Sequence, residues 1–287
     1  MGFLLVGLVA AVGRAPAAEV GPSRGSLVIV GGGMKDRAIV ERFIELAGGP
    51  EVSIGVVPTA GEEDDYDQYW TGLREFREAG AKNLFVLHTR DRRVADSESF
   101  VKPIRQARGI WFTGGRQWRL ADSYLHTLTH KALVELLDRG GIIGGSSAGA
   151  TIQGSYLVRG DTKGNEILMG DHEEGFGFLR QAAIDQHLLQ RNRHFDLIEV
   201  IERRPELLGI GIDEDTAIVV RGDSFEVIGK SYVAIYDNRR LVGSRARGRF
   251  YFLAAGDRFD LKTREARRQA LSAEPFRAIR SEPWPKP

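Results

Sequence analysis

The chain alternates short, wholly apolar runs with longer stretches whose apolar residues return every three or four positions. Ser26 to Val30 (SLVIV) is continuous and β-branched, the pattern of a strand covered on both faces, and it ends at Gly31-Gly32-Gly33. From Lys35 to Ala47 the period changes. Ile39, Val40, Phe43, Leu46 and Ala47 fall on one face of a helix, which Gly48-Gly49-Pro50 stops. The cycle repeats with a strand at Val52 to Pro58, a helix around Gln68 to Ala79 and a strand at Leu84 to Leu87. A helix at Ser97 to Ala107 then precedes a strand at Gly109 to Phe112. The next helix, Ser123 to Leu137, leads through Arg139-Gly140-Gly141 into Ile142-Ile143.

Buried strands alternating with helices predict an α/β fold: a mostly parallel sheet between two helical layers. Right-handed crossovers bring the strand C-terminal ends to one rim, where open α/β sheets place their ligands. The exits Gly31-Gly32-Gly33, Pro58-Thr59-Ala60, Thr113-Gly114-Gly115 and Gly145-Ser146-Ser147 all belong to that rim. After about residue 175 the pattern shortens. Strands are expected at Ala182-Ala183-Ile184, Leu208 to Ile212, Val233 to Tyr236 and Phe250 to Leu253, with a helix at Phe195 to Glu202. Ala217 to Val220 and Phe225 to Ile228 flank Gly222-Asp223, a hairpin signal. The expectation is a single domain over residues 19–287 whose sheet continues with antiparallel strands.

Composition narrows the chemistry. The absence of cysteine removes disulfides, thiolate metal sites and a cysteine nucleophile. With 40 Lys or Arg against 39 Asp or Glu, the chain does not look like a nucleic-acid binder. The charge is uneven, however. From Arg239 onward there are 13 basic and 5 acidic residues, a basic C-terminal extension read as a charged segment packed on the main domain. Residues 1–18 combine the apolar run MGFLLVGLVAAV with Ala15-Pro16-Ala17-Ala18, the features of a secretory signal peptide without its basic start. Export to the periplasm or beyond is therefore expected, with a cytoplasmic location if the run is not a leader. No later stretch is long and apolar enough to span a bilayer. The acidic run Glu62-Glu63-Asp64-Asp65-Tyr66-Asp67 follows the second strand exit, as a helix-capping segment or as a source of negative potential at the rim.

Gly145-Ser146-Ser147-Ala148-Gly149 fits G-x-S-x-G between a buried strand and Ala150-Thr151-Ile152. This spacing suits a nucleophile elbow, where small flanking residues permit a sharp turn and expose the central Ser147 oxygen. The Ala148 N–H would then face developing negative charge. Among six histidines, His187 emerges at a strand end and is the best general base, with His172 in Asp171-His172-Glu173-Glu174 next. The orienting acid is expected in Asp213-Glu214-Asp215, where spacing does not choose among the three. Metal and nucleotide signatures such as H-E-x-x-H or G-x-x-x-x-G-K-[ST] do not occur, so no cofactor or metal is expected.

Four blocks taken together resemble the cyanophycinases, serine peptidases grouped with aspartyl dipeptidases on a fold like the class I glutamine amidotransferases. They are Phe112-Thr113-Gly114-Gly115, Gly144 to Ala150, Asp185-Gln186-His187 with Gln190-Arg191, and Gly211 to Ala217, in family order. The resemblance implies Ser147 as nucleophile, His187 as base and Glu214 as acid, with Gly115 and Ala148 as oxyanion donors. It places Gln117, Asp185, Gln186 and Arg191 on the substrate pocket. It implies hydrolysis of β-Asp-Arg type bonds in a peptide or cyanophycin-like polymer, which carries an aspartate backbone and arginine side chains, and it is compatible with a homodimer. A dipeptidase, another serine hydrolase or a non-catalytic binder are the alternatives. Ser146, Arg116, Ala182 and Asp196 depart from the usual family pattern, which leaves the triad intact and either preserves a carboxylate-binding pocket or redirects it.

Overall fold

In a computed structural model, described over residues 20–239 and 249–269, the chain builds two sheets that share one core. The leader-like run 1–18 and most of the basic extension lie outside the described residues. Five strands open the fold: β1 (Ser26–Val30), β2 (Ser53–Val57), β3 (Asn83–Val86), β4 (Gly109–Phe112) and β5 (Ile142–Ser146). Between them run helices α1 (Arg37–Ala47), α2 (Arg74–Glu78), α3 (Arg92–Ala95), α4 (Glu98–Gln106), α5 (Gln117–Tyr124) and α6 (Leu128–Asp138). The remainder comprises α7 (Ala148–Thr151), β6 (Gly154–Tyr156), β7 (Leu179–Gln186), α8 (Asp196–Arg203) and β8 (Leu208–Ile212). Strands β9 (Thr216–Arg221), β10 (Ser224–Gly229), β11 (Val233–Asp237), β12 (Tyr251–Leu253), β13 (Arg258–Asp260) and β14 (Glu265–Arg267) complete it.

The five opening strands are parallel and lie in the order β1-β5-β4-β2-β3. Val28 and Val30 pack under α1 on one face, while Leu27 and Ile29 enter a second core on the other. That double burial is why β1 reads as a continuous apolar run. The sheet does continue antiparallel, through β9, β10, β13 and β14 beyond β1. Strands β6, β7, β8, β11 and β12 instead form a separate five-stranded sheet, a departure from the single extended sheet expected. Its inner side chains, including Ala182, Ile184, Ile210, Ile212 and Val233, pack in the same core as Leu27, Ile29 and Ile143. Its outer face is covered by α8 through Leu197, Val200 and Ile201. The layered α/β fold of the class I glutamine amidotransferase type is thus present, with additional antiparallel strands.

Two helices differ from the periodicity. The run Ser123 to Leu137 is interrupted: α5 ends at Tyr124, His126 takes a positive φ of 60°, and α6 starts after Thr127. Asp96 accepts from the Leu128 N–H at 2.7 Å, which supplies a side-chain acceptor to the new helix start. Around Gln68 to Ala79 only Thr71 onward is helical, because the Asp67 carboxylate caps the Tyr69 N–H in a local turn.

Trp111 on β4 anchors the layer under α1. It is fully buried, with Phe43 and Phe76 edge-on at 4.9 and 5.5 Å between ring centroids. A side chain at Gly144 on neighbouring β5 would strike the indole, so the glycine leaves the space the ring fills. Trp111→Ala should destabilise the fold by about 3–5 kcal/mol, measured as a lowered urea midpoint at unchanged m-value.

Candidate active site

The residues of G-x-S-x-G are small for identifiable reasons. A Cβ on Gly145 would fall under 3.0 Å from the Gly149 carbonyl, and one on Gly149 would collide with the Phe112 carbonyl. The backbone therefore turns sharply between β5 and α7, and Ser147 at its apex has φ 56° and ψ −112°. Such a conformation costs a non-glycine residue on the order of 1–3 kcal/mol, and strain of this kind concentrates at functional sites. Gly114 and Gly115 lie opposite. A Cβ on Gly114 would stand only 3.3 Å from the Ser147 Cβ, so its absence keeps the approach to the hydroxyl open. Gly115, at φ 138°, packs its α-carbon against the Ala60 carbonyl. The Gly115 and Ala148 N–H groups have no acceptor among the described residues.

His187 leaves the end of β7 in the left-handed region, φ 53°, and points its ring back to Ser147. Ser147 Oγ and His187 Nε2 are 2.9 Å apart, and His187 Nδ1 lies 2.6 Å from Glu214 Oε1. One tautomer satisfies both contacts: Nδ1–H donates to the carboxylate while Nε2 accepts from the hydroxyl. Burial holds the His187 pKa below its ordinary value; Glu214 opposes that shift, and the nearby Arg191 and Arg193 charges add to it. The ring is therefore neutral at neutral pH, the state that accepts a proton.

The three consecutive acids separate cleanly. Asp213 accepts from the Leu189 and Gln190 N–H groups at 2.9 and 3.0 Å and from the Ser231 hydroxyl at 2.6 Å, capping the turn that carries His187. Asp215 turns the other way and accepts from the Asp36 N–H at 3.0 Å. Only Glu214 reaches the imidazole.

The loop after β1 shapes the same pair. A side chain on Gly32 would enter the His187 ring, and one on Gly33 would enter the Glu214 carboxylate. Its backbone also clasps both turns: His187 N–H donates to the Gly31 carbonyl at 2.8 Å and Asp215 N–H to the Gly32 carbonyl at 3.0 Å. The triple glycine at a strand exit reads from sequence as part of the cleft rim; which side chains it makes room for is set by contacts with remote segments.

The expected pocket residues divide. Arg191 is exposed, and its N–H donates to the His187 carbonyl at 3.0 Å. Gln117 is buried; its amide donates to the Val158 carbonyl at 2.8 Å while Oε1 has no hydrogen-bond partner among the described residues. Gln186 is buried and accepts from Arg193 at 3.1 Å. Asp185 does not face an open wall. It is fully buried, and both its oxygens receive Arg159 N–H groups, at 2.9 and 3.1 Å. Arg159 also bonds Asp196. The buried pair Arg159 and Arg193 escaped sequence reasoning, because nothing in the pattern marks an arginine as interior.

Away from this centre, His172 bridges Asp122 and Asp171 at 2.8 Å each. Among the described residues no group of three or more His, Asp or Glu is arranged to hold a metal. No helix among them is long and apolar enough to cross a membrane. The acidic run is tied down by Arg90, which bonds Asp64 at 2.8 Å and the Gly61 and Glu63 carbonyls.

Two outcomes follow from this geometry. Gly32 is buried at φ 127°, so Gly32→Ala sets a methyl against the imidazole and should lose more than tenfold in turnover as the ring is pushed from Ser147, with the fold checked by circular dichroism. Retention of full turnover would contradict the cradle. The pH profile of kcat/KM should have its acid limb below 6.5, the ordinary histidine value. Glu214→Gln removes the group that raises the His187 pKa, so the limb should move to still lower pH while turnover drops.

Comparison with known proteins fits this arrangement. The sequence profile described as Peptidase family S51 matches residues 27–228. A cyanophycinase of Geminocystis herdmanii (strain PCC 6308) is 33% identical over 264 residues, covering 84% of this chain and 96% of the relative. A cyanophycinase of Nostoc sp. (strain PCC 7120 / SAG 25.82 / UTEX 2576) is also 33% identical, covering 83% and 86% respectively. The crystal structure of a peptidase from an acI-B1 Actinobacterium superimposes with a TM-score of 0.64 at 26% identity, over 84% of this chain and 98% of that one. With its strand-exit glycines, its serine elbow and this extent of likeness, the chain belongs to peptidase family S51 and is a hydrolase of serine-peptidase type.

Proposed function

We propose that this protein hydrolyses aspartyl peptide bonds of the β-Asp-Arg type through an acyl-enzyme formed on Ser147. The observation that carries the reading is the unbroken hydrogen-bond chain Ser147–His187–Glu214 at a strained elbow. Ser147 Oγ attacks the scissile carbonyl carbon as His187 Nε2 takes its proton, and Glu214 stabilises the imidazolium. The carbonyl oxygen, now negative, lies against the Gly115 and Ala148 N–H groups. Collapse expels the amine, which receives the proton from His187. Water, deprotonated by the same nitrogen, then cleaves the ester and frees Ser147.

The substrate class is supported by relatives named cyanophycinase and by charges of both signs near the centre. Arg191 lies exposed one turn beyond His187 and suits a carboxylate. The run Glu62 to Asp67 stands at the β2 exit, where the Ala60 carbonyl accepts the Arg116 N–H beside Gly115, and suits guanidinium groups of an arginine-bearing polymer.

Ser147→Ala should fold normally and lose at least three orders of magnitude in turnover. The decisive assay sets the wild type against cyanophycin, α- and β-aspartyl dipeptides and simple esters in parallel. Release of β-Asp-Arg from the polymer is the expected result. Turnover of α-aspartyl dipeptides alone would assign the chain to dipeptidase chemistry, and undiminished activity in Ser147→Ala would remove the mechanism.

A further inference from the structure

The loop between β6 and β7 sends one carboxylate to two interior arginines. Arg159 and Arg193 have side chains only 1% and 4% exposed, while Glu166, at 85%, is almost wholly in solvent. Its two oxygens divide between them: Oε2 is 3.7 Å from Arg159 Nη1 and Oε1 is 3.6 Å from Arg193 Nη2. Both separations exceed hydrogen-bond length.

The arginines are not equally compensated. Arg159 is answered by Asp185 through two hydrogen bonds, by Asp196, and by the Asn165 carbonyl at 3.0 Å. Arg193 has only neutral oxygens in hydrogen-bond contact, both from Gln186 through Nη1. A buried cation without a close counter-ion is costly. Burial and the Arg159 charge accordingly hold the Arg193 pKa below its ordinary value. Among the described residues, the carboxylate within 4.0 Å of Arg193 is that of Glu166, borne on a solvent-exposed side chain and beyond hydrogen-bond distance. Arg193 is held by Gln186, the residue before His187, and its charge acts on the imidazole.

We propose that Glu166 is an internal stand-in for a substrate carboxylate: it rests between Arg193 and Arg159, and a bound carboxylate displaces it. The assignment of this anion site to substrate rests on the reading of Ser147 and His187 given above; the displacement itself does not. On this account Glu166 is a specificity-determining residue. It lowers affinity for every ligand that cannot place a carboxylate between the two guanidinium groups, and it shields Arg193 until one arrives. The loop bearing it is joined to the segment that follows Gly115, because Arg116 donates to the Asp161 carbonyl at 2.6 Å and Gln117 to the Val158 carbonyl.

The test uses succinate as probe, titrated calorimetrically into the full-length Ser147→Ala protein so that no turnover is needed. Glu166→Gln removes the charge, whereas Glu166→Asp keeps it on a side chain one methylene too short to bridge both arginines. Displacement predicts that each variant binds succinate about three- to tenfold more tightly than its parent. It also predicts a matching fall in KM for β-Asp-Arg substrates when Ser147 is restored. Tighter binding in Glu166→Gln alone would mean a general field effect and would overturn the proposal, as would unchanged affinity in both. Arg193→Lys, which preserves charge in a buried place, should weaken succinate and abolish the gain from Glu166→Asp; persistence of that gain would also overturn it. Should the displacement hold while Ser147→Ala stays fully active, the proposed mechanism fails and the anion site stands.

Discussion

The site depends on a backbone clasp. Three glycines after β1 are held against two turns that leave neighbouring strands of the second sheet: the exit of β7, which carries His187, and the β8–β9 connection, which carries Glu214. Gly31 and Gly32 accept one N–H from each turn, and the missing side chains leave the volume that the imidazole and carboxylate fill. Because β1 pairs with β5 in register to Val30–Ser146, the same clasp also sets both turns against the elbow. The Ser147 N–H donates to the Val30 carbonyl at 3.0 Å, the last link in that chain. Three groups distant in sequence are thus located by one loop, with no flexible connector between them.

Strain and burial then work together. Ser147, His187 and Asp215 all adopt positive φ, a cost that hydrogen bonds to fixed carbonyls and the packing beneath must offset. The second sheet makes that affordable. By packing Ile184, Ile210 and Ile212 into the core beneath β1 and β5, it fixes the strand ends from which His187 and Glu214 depart. The same burial keeps His187 neutral and leaves Arg159 and Arg193 inside the protein, the first met by the Asp185 and Asp196 carboxylates and the second by oxygens of Gln186.

Much of this was legible in the chain. A strand buried on both faces is apolar at every position, so β1, β2, β4 and β5 are plain from composition alone, as is the rim where their glycine-rich exits collect. Ser147 was marked by steric demands that only small neighbours satisfy, and His187 by its place at a strand end. Other features depend on contacts between remote segments. The choice of Glu214 over Asp213 and Asp215 is a matter of which way each side chain leaves a tight turn. The division of the C-terminal strands into two sheets is decided by packing partners, not by their own alternation. The break at His126 comes from Asp96, thirty-two residues before the helix start that it caps. Asp185 was assigned to the pocket on resemblance, and only the interior position of Arg159 shows where its carboxylate goes.

The central claim is that Ser147 becomes covalently acylated during turnover. It is tested most directly by acid-quenching the wild-type enzyme within milliseconds of mixing with a slowly hydrolysed aspartyl ester, then mapping the adduct by peptide mass spectrometry. The account predicts a transient acyl group on the peptide containing Ser147, formed before steady-state product, formed more slowly when Glu214 is changed to Gln and absent when Ser147 is changed to Ala. Full turnover with no adduct on that peptide, or with an adduct on any other residue, would contradict it.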